Sequence, residues 1–307
     1  MPEAIAFAEY GPPEVLEAVT RPRPEPGPGQ VLVAVRAAGV NPLDWKLRGG
    51  AMAAVMPLAL PHVPGLELAG TVDALGEGVE GLTVGEEVFG KARGAYAAYA
   101  LAEADQLARR PEDLDPVPAA GVAVAAEAAY RALDELGPTE GETLLVHGAA
   151  GAVGSMAAQF ARARGARVLG TASAPAQDRV RELGAETVVY GEGVAERLRS
   201  AAPEGVDAVL DTSGADVLGL SVALAGGTGR VLSLVDPVAA EQHGVRFSAG
   251  TPDEDRTAAA LEQVLVLHRA GTLALPVPVT LPLAEAAEAH RWGERGGSGG
   301  KLLLLVG

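Results

Sequence analysis

Residues 143–173 read TLLVHGAAGAVGSMAAQFARARGARVLGTAS, and this stretch decides the fold. Gly148, Gly151 and Gly154 fall at three-residue intervals between two apolar runs. The first run, Thr143 to Val146, has the character of a buried strand. In the second, Val153, Ala157, Phe160 and Ala161 share one helical face. A strand, a glycine turn and an amphipathic helix open a βαβ unit. Without Cβ atoms in the way, the backbone at Gly148, Ala150, Gly151, Ala152 and Val153 can approach a pyrophosphate, whose charge suits the positive end of the helix dipole. Gly154 allows the helix to pack closely on the strand. Glycine turns are common, so the motif alone is weak. The strand before it, the helix after it and a second strand about 20 residues on favour dinucleotide binding over a merely tight turn.

That second strand ends in Thr171, Ala172 and Ser173. NAD-selective sites place an Asp or Glu there to accept hydrogen bonds from the ribose diol. Here no carboxylate repels a 2′-phosphate, so NADP(H) is the expected coenzyme, although no obvious cation grips the phosphate either.

Outward from this unit, strand and helix alternate from about Pro118, which implies right-handed crossovers and a parallel sheet. The helical run VAVAAEAAYRALDELG stops at Gly137, a plausible C′ residue. Later strands are expected in ETVVY, VDAVLDTSG, GRVLSLV and VRFSAG, with helices in AQDRVRELG and VAERLRSA between the first of them. The first third is β-rich: AIAFAEYG and QVLVAVRAAGV alternate like half-buried strands, and LAGTVDALG, EVFGK and AYAAYALAEADQLARR add short ones. The intervening RPRPEPGPGQ reads as a stiff surface loop in preference to a polyproline ligand. A helix over DRTAAALEQVLVLHRAG and a strand KLLLLV close the chain, and no fixed-period repeat is present.

Bulk properties narrow the function. The 307 residues carry a formal net charge of −16 with no basic cluster, which disfavours nucleic acid. No apolar run approaches the roughly 20 residues of a membrane helix, and MPEAIAFAEYG lacks a signal-peptide layout. There is no cysteine, hence no disulfide or thiolate chemistry, and the five histidines are scattered singly. The expectation is a soluble cytoplasmic protein without a metal site.

In GVNPLDWKLRGG, VPGLELAGTVDALGEGVEGLTVGEEVFG, HGAAGAVG, TASAPAQDRVRELGAETVVY, VLDTSGAD and GGKLLLLV, the chain resembles the medium-chain dehydrogenase/reductase superfamily. The match is to its zinc-free quinone oxidoreductase (zeta-crystallin-like) branch and runs over essentially the whole length. The resemblance implies an α/β protein in which a Rossmann doubly wound parallel sheet accompanies a GroES-like β-rich catalytic domain. It implies a first catalytic segment over 1–118, a Rossmann NADP(H)-binding domain over 119–254 and a segment over 255–307 that completes the catalytic domain, with the active cleft between the domains.

Zinc-containing relatives carry Cys where this chain has Asn41 and His where it has Leu66, just before Glu67. By resemblance Asn41 approaches the nicotinamide amide or ribose. Trp45 matches a cleft-lining aromatic, or else is a core anchor. Ser173 and Tyr190 match adenosine-half contacts, although Tyr190 could equally be a buried strand end. Leu234 and Val235 would flank the nicotinamide, and Lys301 and Arg295 lie near a loop that can meet the coenzyme phosphates. Two departures stand out. Glu127-Ala128-Ala129-Tyr130 replaces a common Leu-Thr-Ala-Tyr, which removes a hydroxyl at Ala128. Ala174-Pro175-Ala176 lies where many members carry a cation, a role Arg179 could take over unless it is a solvated charge.

The implied activity is zinc-independent, NADPH-dependent hydride transfer to a quinone or other α,β-unsaturated carbonyl by a homodimer paired through VRFSAG. A reductase for one specialised metabolite and a non-catalytic NADP(H) sensor are the alternatives. Loops at residues 46–62 and 241–256 are expected to set the substrate.

Overall fold

A computed structural model of the chain describes residues 3–250, 255–275, 279–296 and 301–307. It comprises two compact units, one of Met1–Val124 with Leu275–Gly307 and one of Ala125–Ala274. The Pro- and Gly-rich stretches 276–278 and 297–300, and the end of the 241–256 loop at 251–254, lie outside the described residues.

Unit 1 begins with β1 (Glu3–Ala6) and β2 (Glu17–Thr20), an antiparallel pair of their own. The long strand β3 (Gln30–Val40) leads through Asn41 into α1 (Pro42–Arg48), where proline at the first helical position fits the fixed φ a helix needs. There follow β4 (Glu67–Leu75), β5 (Glu87–Lys91), β6 (Tyr99–Glu103), β7 (Leu107–Arg109) and the short α2 (Pro116–Ala119).

The chain then enters α3 (Ala123–Leu136), which Gly137 ends at φ +60°, its amide donating to the Leu133 carbonyl at 2.9 Å. Unit 2 continues with β8 (Thr143–His147), α4 (Ala152–Ala163), β9 (Arg167–Ala172), α5 (Gln177–Glu182), β10 (Glu186–Val189), α6 (Val194–Ala201) and β11 (Ala208–Asp211). It closes with α7 (Leu218–Leu224), β12 (Val231–Ser233), α8 (Pro237–Gln242), β13 (Arg246–Phe247) and α9 (Thr257–Arg269). The C-terminal part of unit 1 is β14 (Val279–Pro282), α10 (Ala286–Arg295) and β15 (Leu302–Leu305).

The six strands of unit 2 are all parallel, in the order β10-β9-β8-β11-β12-β13. The chain leaves the centre at β8, builds outward through β9 and β10, then returns to β11 on the other side. This is the doubly wound sheet expected from the alternation, and its crevice lies at the carboxyl ends of β8 and β11. Central strands are covered on both faces, so Leu144, Leu145 and Val146 are all buried with no alternation. Unit 1 carries the β-rich sheet, ordered β14-β15-β3-β4-β5-β7 with β6 also pairing β3. Its strand β3 was expected to be half-buried. Instead Val31, Leu32 and Val33 are all inside, where two register shifts along β3 accompany its pairing with β4, β6 and β15.

Two boundaries differ from the sequence expectation. The units divide at 124/125 and 274/275, not near 118 and 254. Helix α9 counts with unit 2, burying Ala260, Leu261 and Val264. Beyond it the Gln159 side chain donates to the Ala274 carbonyl at 3.2 Å and accepts from its amide at 2.8 Å. The strand expected in VRFSAG is only the pair Arg246–Phe247, bracketed by Gly244 and Gly250 at positive φ. Among the described residues no helix is long and apolar enough to cross a membrane.

Close packing of the first βαβ unit fixes one testable site. A Cβ on Gly170 of β9 would lie 2.6 Å from Ala149 Cβ and 3.0 Å from Val180 Cγ1. Gly170→Ala is expected to cost about 1–3 kcal/mol by overpacking. Gly229→Ala, which meets nothing within 4 Å, should stay within about 0.5 kcal/mol of wild type. Urea unfolding of both variants checks the contrast.

Candidate functional site

At the carboxyl end of β8 the backbone turns at Gly148, with φ +77°, a conformation that favours glycine. A Cβ there would also sit 2.9 Å from Thr212 Oγ1. The Gly148 amide donates to Thr171 Oγ1 at 3.3 Å, the Ala149 amide to the Thr171 carbonyl at 3.0 Å, and the Gly151 amide back to the Gly148 carbonyl at 2.9 Å. Three of the four turn amides are thereby spent inside the protein. The Ala150 amide, among the described residues, has no acceptor. The helical ladder of α4 starts when the Ser155 amide reaches the Gly151 carbonyl at 2.9 Å, so the amides of Ala152, Val153 and Gly154 precede it.

Each glycine of the motif acts differently. A Cβ on Gly154 would lie 2.9 Å from Ala149 Cα, so this residue lets the helix start close against the turn. Gly151 has φ −76°, which any residue adopts, and a Cβ there would meet only the Gly148 carbonyl oxygen, at 3.3 Å. What it provides is clearance beside the free amides. Free N–H groups at the start of a 12-residue helix form a cradle for an anion.

Neighbouring strand ends carry the other sequence candidates of unit 2. Val189 of β10 pairs with Ala172 of β9, and the Tyr190 amide donates to the Ala172 carbonyl at 3.1 Å. This register sets Ser173 and Tyr190 side by side. Tyr190 is 57% exposed, so it is not a buried strand end. Gln177, missed in the sequence, clamps the turn: its amide donates to the carbonyls of Ala172 and Ser173 at 3.1 and 3.2 Å and accepts from Thr187 Oγ1 at 2.7 Å. Arg197, also missed, donates from α6 to the carbonyls of Val189 and Glu192 at 3.0 and 2.8 Å, holding a positive charge beside Tyr190. Arg179 is half-buried and, among the described residues, has no ion-pair partner.

Leu234 and Val235 follow β12 on a turn built from polar groups. Buried Asp211 accepts from Ser213 Oγ at 2.7 Å and from Ser233 Oγ at 3.0 Å, and Ser233 Oγ accepts the Val235 amide at 3.3 Å. Gly214 leaves space for Val235, whose Cγ1 would be 2.8 Å from an added Cβ. On α3, Ala128 is half-buried, and its neighbour Glu127 pairs with Arg131 at 2.9 Å within the unit.

Unit 1 holds Asn41 and Trp45. Asn41 is 4% exposed; its Nδ2 donates to Glu67 Oε1 at 2.9 Å and its Oδ1 accepts from Lys301 Nζ at 2.5 Å. Lys301 also lies 2.5 Å from Glu67 Oε1, while Glu67 Oε2 accepts the Val124 amide at 2.8 Å. Glycine makes room for both charges. A Cβ on Gly39 would collide with the Glu67 carboxylate, and one on Gly121 would lie 2.6 Å from Lys301 Cγ. Lys301 is thus a buried partner of Glu67, which corrects its expected place beside the coenzyme phosphates.

Trp45 packs against the unit 1 core, its ring edge-on to His290 at 6.2 Å between centroids and 2.5 Å from where a Gly293 Cβ would be. Of the two readings open for it, the structure supports the anchor. Arg295 is exposed at the end of α10.

Below Asn41 a second polar chain is fully buried. Asp44 accepts the Asn41 amide at 2.8 Å and the Gly65 amide at 3.2 Å. Arg48 Nη1 donates to His290 Nδ1 at 3.3 Å, so Nε2 carries the imidazole hydrogen toward Tyr96 Oη at 3.3 Å, and Tyr96 donates to Asp44 Oδ2 at 3.3 Å. Burial and the Arg48 charge hold His290 neutral, with its pKa lowered to about 3. Burial raises Asp44 to about 7, against the pull of the Asn41 and Gly65 amides and of Lys301.

A catalytic zinc does not fit these residues. Leu66 offers no donor, and the Asn41 oxygen and the Glu67 carboxylate already surround an ammonium that would repel a second cation. Among the described residues no group of three or more His, Cys, Asp or Glu side chains could hold a metal.

Two family models match, the alcohol dehydrogenase GroES-like domain over residues 27–112 and the zinc-binding dehydrogenase over 152–241. The chain is 34% identical over 325 residues to the human quinone oxidoreductase, covering 99% of this chain and 97% of that protein. It belongs to the medium-chain dehydrogenase/reductase superfamily, in the quinone oxidoreductase branch. This member is also 36% identical over 296 residues to a spectinabilin polyketide synthase protein of Streptomyces orinoci, covering 91% of this chain and 13% of that one. A mycobacterial protein solved in complex with NADPH shares 30% identity at a TM-score of 0.83, covering 99% of this chain and 100% of the other. The glycine turn of this medium-chain family member has inward-bonded amides and an open cradle at the start of α4.

The Asp44 chain gives a pH test. Its folded-state pKa lies above the unfolded value of about 3.9. Between about pH 4 and 7 the native state therefore holds more protons than the unfolded one, and the Asp44 contribution to stability declines as pH rises through that window. The difference in unfolding free energy between wild type and Asp44→Asn, measured with urea from pH 4 to 7, should therefore shrink with rising pH. A constant difference would contradict the assignment.

Proposed function

We propose that the chain is an NADPH-dependent reductase of quinones or other α,β-unsaturated carbonyls that works without zinc. The observation that carries this reading is the ammonium of Lys301 bonded to Asn41, which stands where zinc-containing members carry Cys, and to Glu67, next to the Leu66 that stands where they carry His. Reduction of a simple ketone leaves charge on one oxygen, which those members stabilise with the metal as a Lewis acid. A conjugated acceptor spreads that charge, and a few oriented donors suffice.

The coenzyme, when bound, supplies the hydride. The Ala150 amide and the leading amides of α4 receive its pyrophosphate. Leu234 and Val235 supply apolar walls for the nicotinamide, and Asn41 supplies a fixed amide. Ser173, Tyr190 and the guanidinium of Arg197 form the end that receives the 2′-phosphate, with no carboxylate in that turn to oppose it. A reductase acting on a polyketide-type biosynthetic intermediate is the second reading, favoured by the resemblance to the polyketide synthase protein.

Steady-state assays should show NADPH oxidation with 1,4-benzoquinone or an enone, unchanged by chelator, and little oxidation of ethanol. Alcohol oxidation that a chelator abolishes and zinc restores would overturn the proposal. Fluorescence titration should show NADPH bound more tightly than NADH. Arg197→Ala should weaken NADPH about tenfold, close to 1.4 kcal/mol, and leave NADH unaffected.

The same reading pairs two copies through the β13 edge, where Phe247 is 37% exposed. Sedimentation should give a dimer, and a monomer at micromolar concentration would remove this part.

A further inference from the structure

His147, the last residue of β8, lies directly before the glycine turn and is 1% exposed. Both ring nitrogens face hydroxyl groups: Nδ1 is 3.2 Å from Thr171 Oγ1 and Nε2 is 3.1 Å from Ser221 Oγ. Where the hydroxyl hydrogens go decides the tautomer. Ser221 Oγ lies 2.7 Å from the Val217 carbonyl oxygen, which can only accept, so the serine hydrogen is spent there. Ser221 therefore turns a lone pair toward the ring, and Nε2 carries the hydrogen. Burial keeps the ring neutral despite the nearby Asp211 carboxylate, with the pKa lowered to about 4. Nδ1 is then a bare acceptor.

Thr171 must donate its hydroxyl hydrogen to that nitrogen. Its lone pairs are left for the Gly148 amide at 3.3 Å. The bonds run one way: from the Gly148 N–H to the Thr171 hydroxyl, from that hydroxyl to Nδ1, from Nε2–H to Ser221, and from Ser221 to the Val217 carbonyl. The first donor is the amide that opens the turn. The Thr171 carbonyl takes the next amide, that of Ala149, at 3.0 Å.

We infer that His147, fixed by Ser221 with its hydrogen on Nε2, is a positioning residue for the coenzyme turn, acting through the Thr171 hydroxyl on the Gly148 amide. With the Gly148 and Ala149 amides drawn inward, the Ala150 amide is left free for the coenzyme. His147, Ser221 and the Thr171 hydroxyl act through the Gly148 amide without touching the ligand themselves. This inference rests on the reading of the turn as the NADP(H) site.

The test combines a spectrum with a binding series. In protein labelled with ¹⁵N-histidine and free of coenzyme, the His147 ring, assigned by its loss in His147→Gln, should show Nε2 protonated and Nδ1 bare. Ser221→Ala should lose this preference for the Nε2–H form. Thr171→Val should raise the NADPH dissociation constant about tenfold by fluorescence titration, with Thr171→Ser close to wild type. A ring protonated on Nδ1, or a folded Thr171→Val that binds NADPH as wild type does, would overturn the inference. If Thr171→Val does not fold, the ring spectrum and Thr171→Ser decide: a serine variant that binds ten times more weakly would also overturn it. Wild type that binds neither coenzyme would instead remove the coenzyme reading, while the ring spectrum still tests the hydrogen-bond chain.

Discussion

A carboxylate with no solvent exposure sets the terms for unit 1. Glu67 sits inside a β-rich core, where an ionised group without a partner costs several kcal/mol. The fold answers with one ammonium, one amide side chain and one backbone N–H, and each comes from a different place. Asn41 follows β3, Val124 is the second residue of α3, and Lys301 immediately precedes β15. The pairing of β15 with β3, in which Leu302 faces Val40, brings Lys301 near Asn41. Gly39 and Gly121 remain without side chains because the charged groups occupy that space. Removing either charge would strand the other, so Glu67 and Lys301 stand or fall together.

Unit 2 meets many of its polar requirements at the ends of its strands, with hydroxyl, carbonyl and carboxylate groups. Around the glycine turn, Thr171 spends both its hydroxyl and its carbonyl on consecutive amides, while Asp211 and Ser233 organise the turn that carries Leu234 and Val235. The strands meet in a parallel sheet whose carboxyl ends converge, so residues at the ends of β8, β9, β10, β11 and β12 form one region. The candidate positions of unit 2 gather at these ends because the sheet topology leaves them there. The apolar interior supplies rigidity, and the polar groups decide which amides point inward.

Legibility in the sequence followed the range of the interaction. The apolar run, glycine spacing and helical periodicity of residues 143–173 are local, and the strand, turn and helix lie where these patterns place them. EVFGK and VAERLRSA coincide with β5 and α6 for the same reason. Short elements escaped: β2 has four residues of weak pattern, and α8 is announced only by Asp236 capping two amides ahead of Pro237. Partners of buried polar groups were the least visible. Lys301 looks like a terminal charge beside a glycine-rich stretch, yet its acceptor Asn41 is 260 residues away. Tyr96 and His290, 194 residues apart, show no common motif. Arg197 reads as one more charge on a polar helix face, and only its grip on the Val189 and Glu192 carbonyls distinguishes it. Periodicity reports which face is apolar but says nothing about which hydrogen bond a distant residue completes.

The split composition of unit 1 has a consequence for synthesis. Residues up to Val124 emerge first, but the strand and the ammonium that complete their core arrive at the end of the chain. Until then Glu67 lacks its counter-charge and β3 lacks the strand that covers its far half. Unit 2 is continuous in sequence, so all of its strands are available while unit 1 still waits. In order of synthesis, the whole of unit 2 precedes the strand and the ammonium that unit 1 still needs. A stop before Lys301 would leave the strands of unit 2 all present beside a β-sheet with an uncompensated charge at its centre.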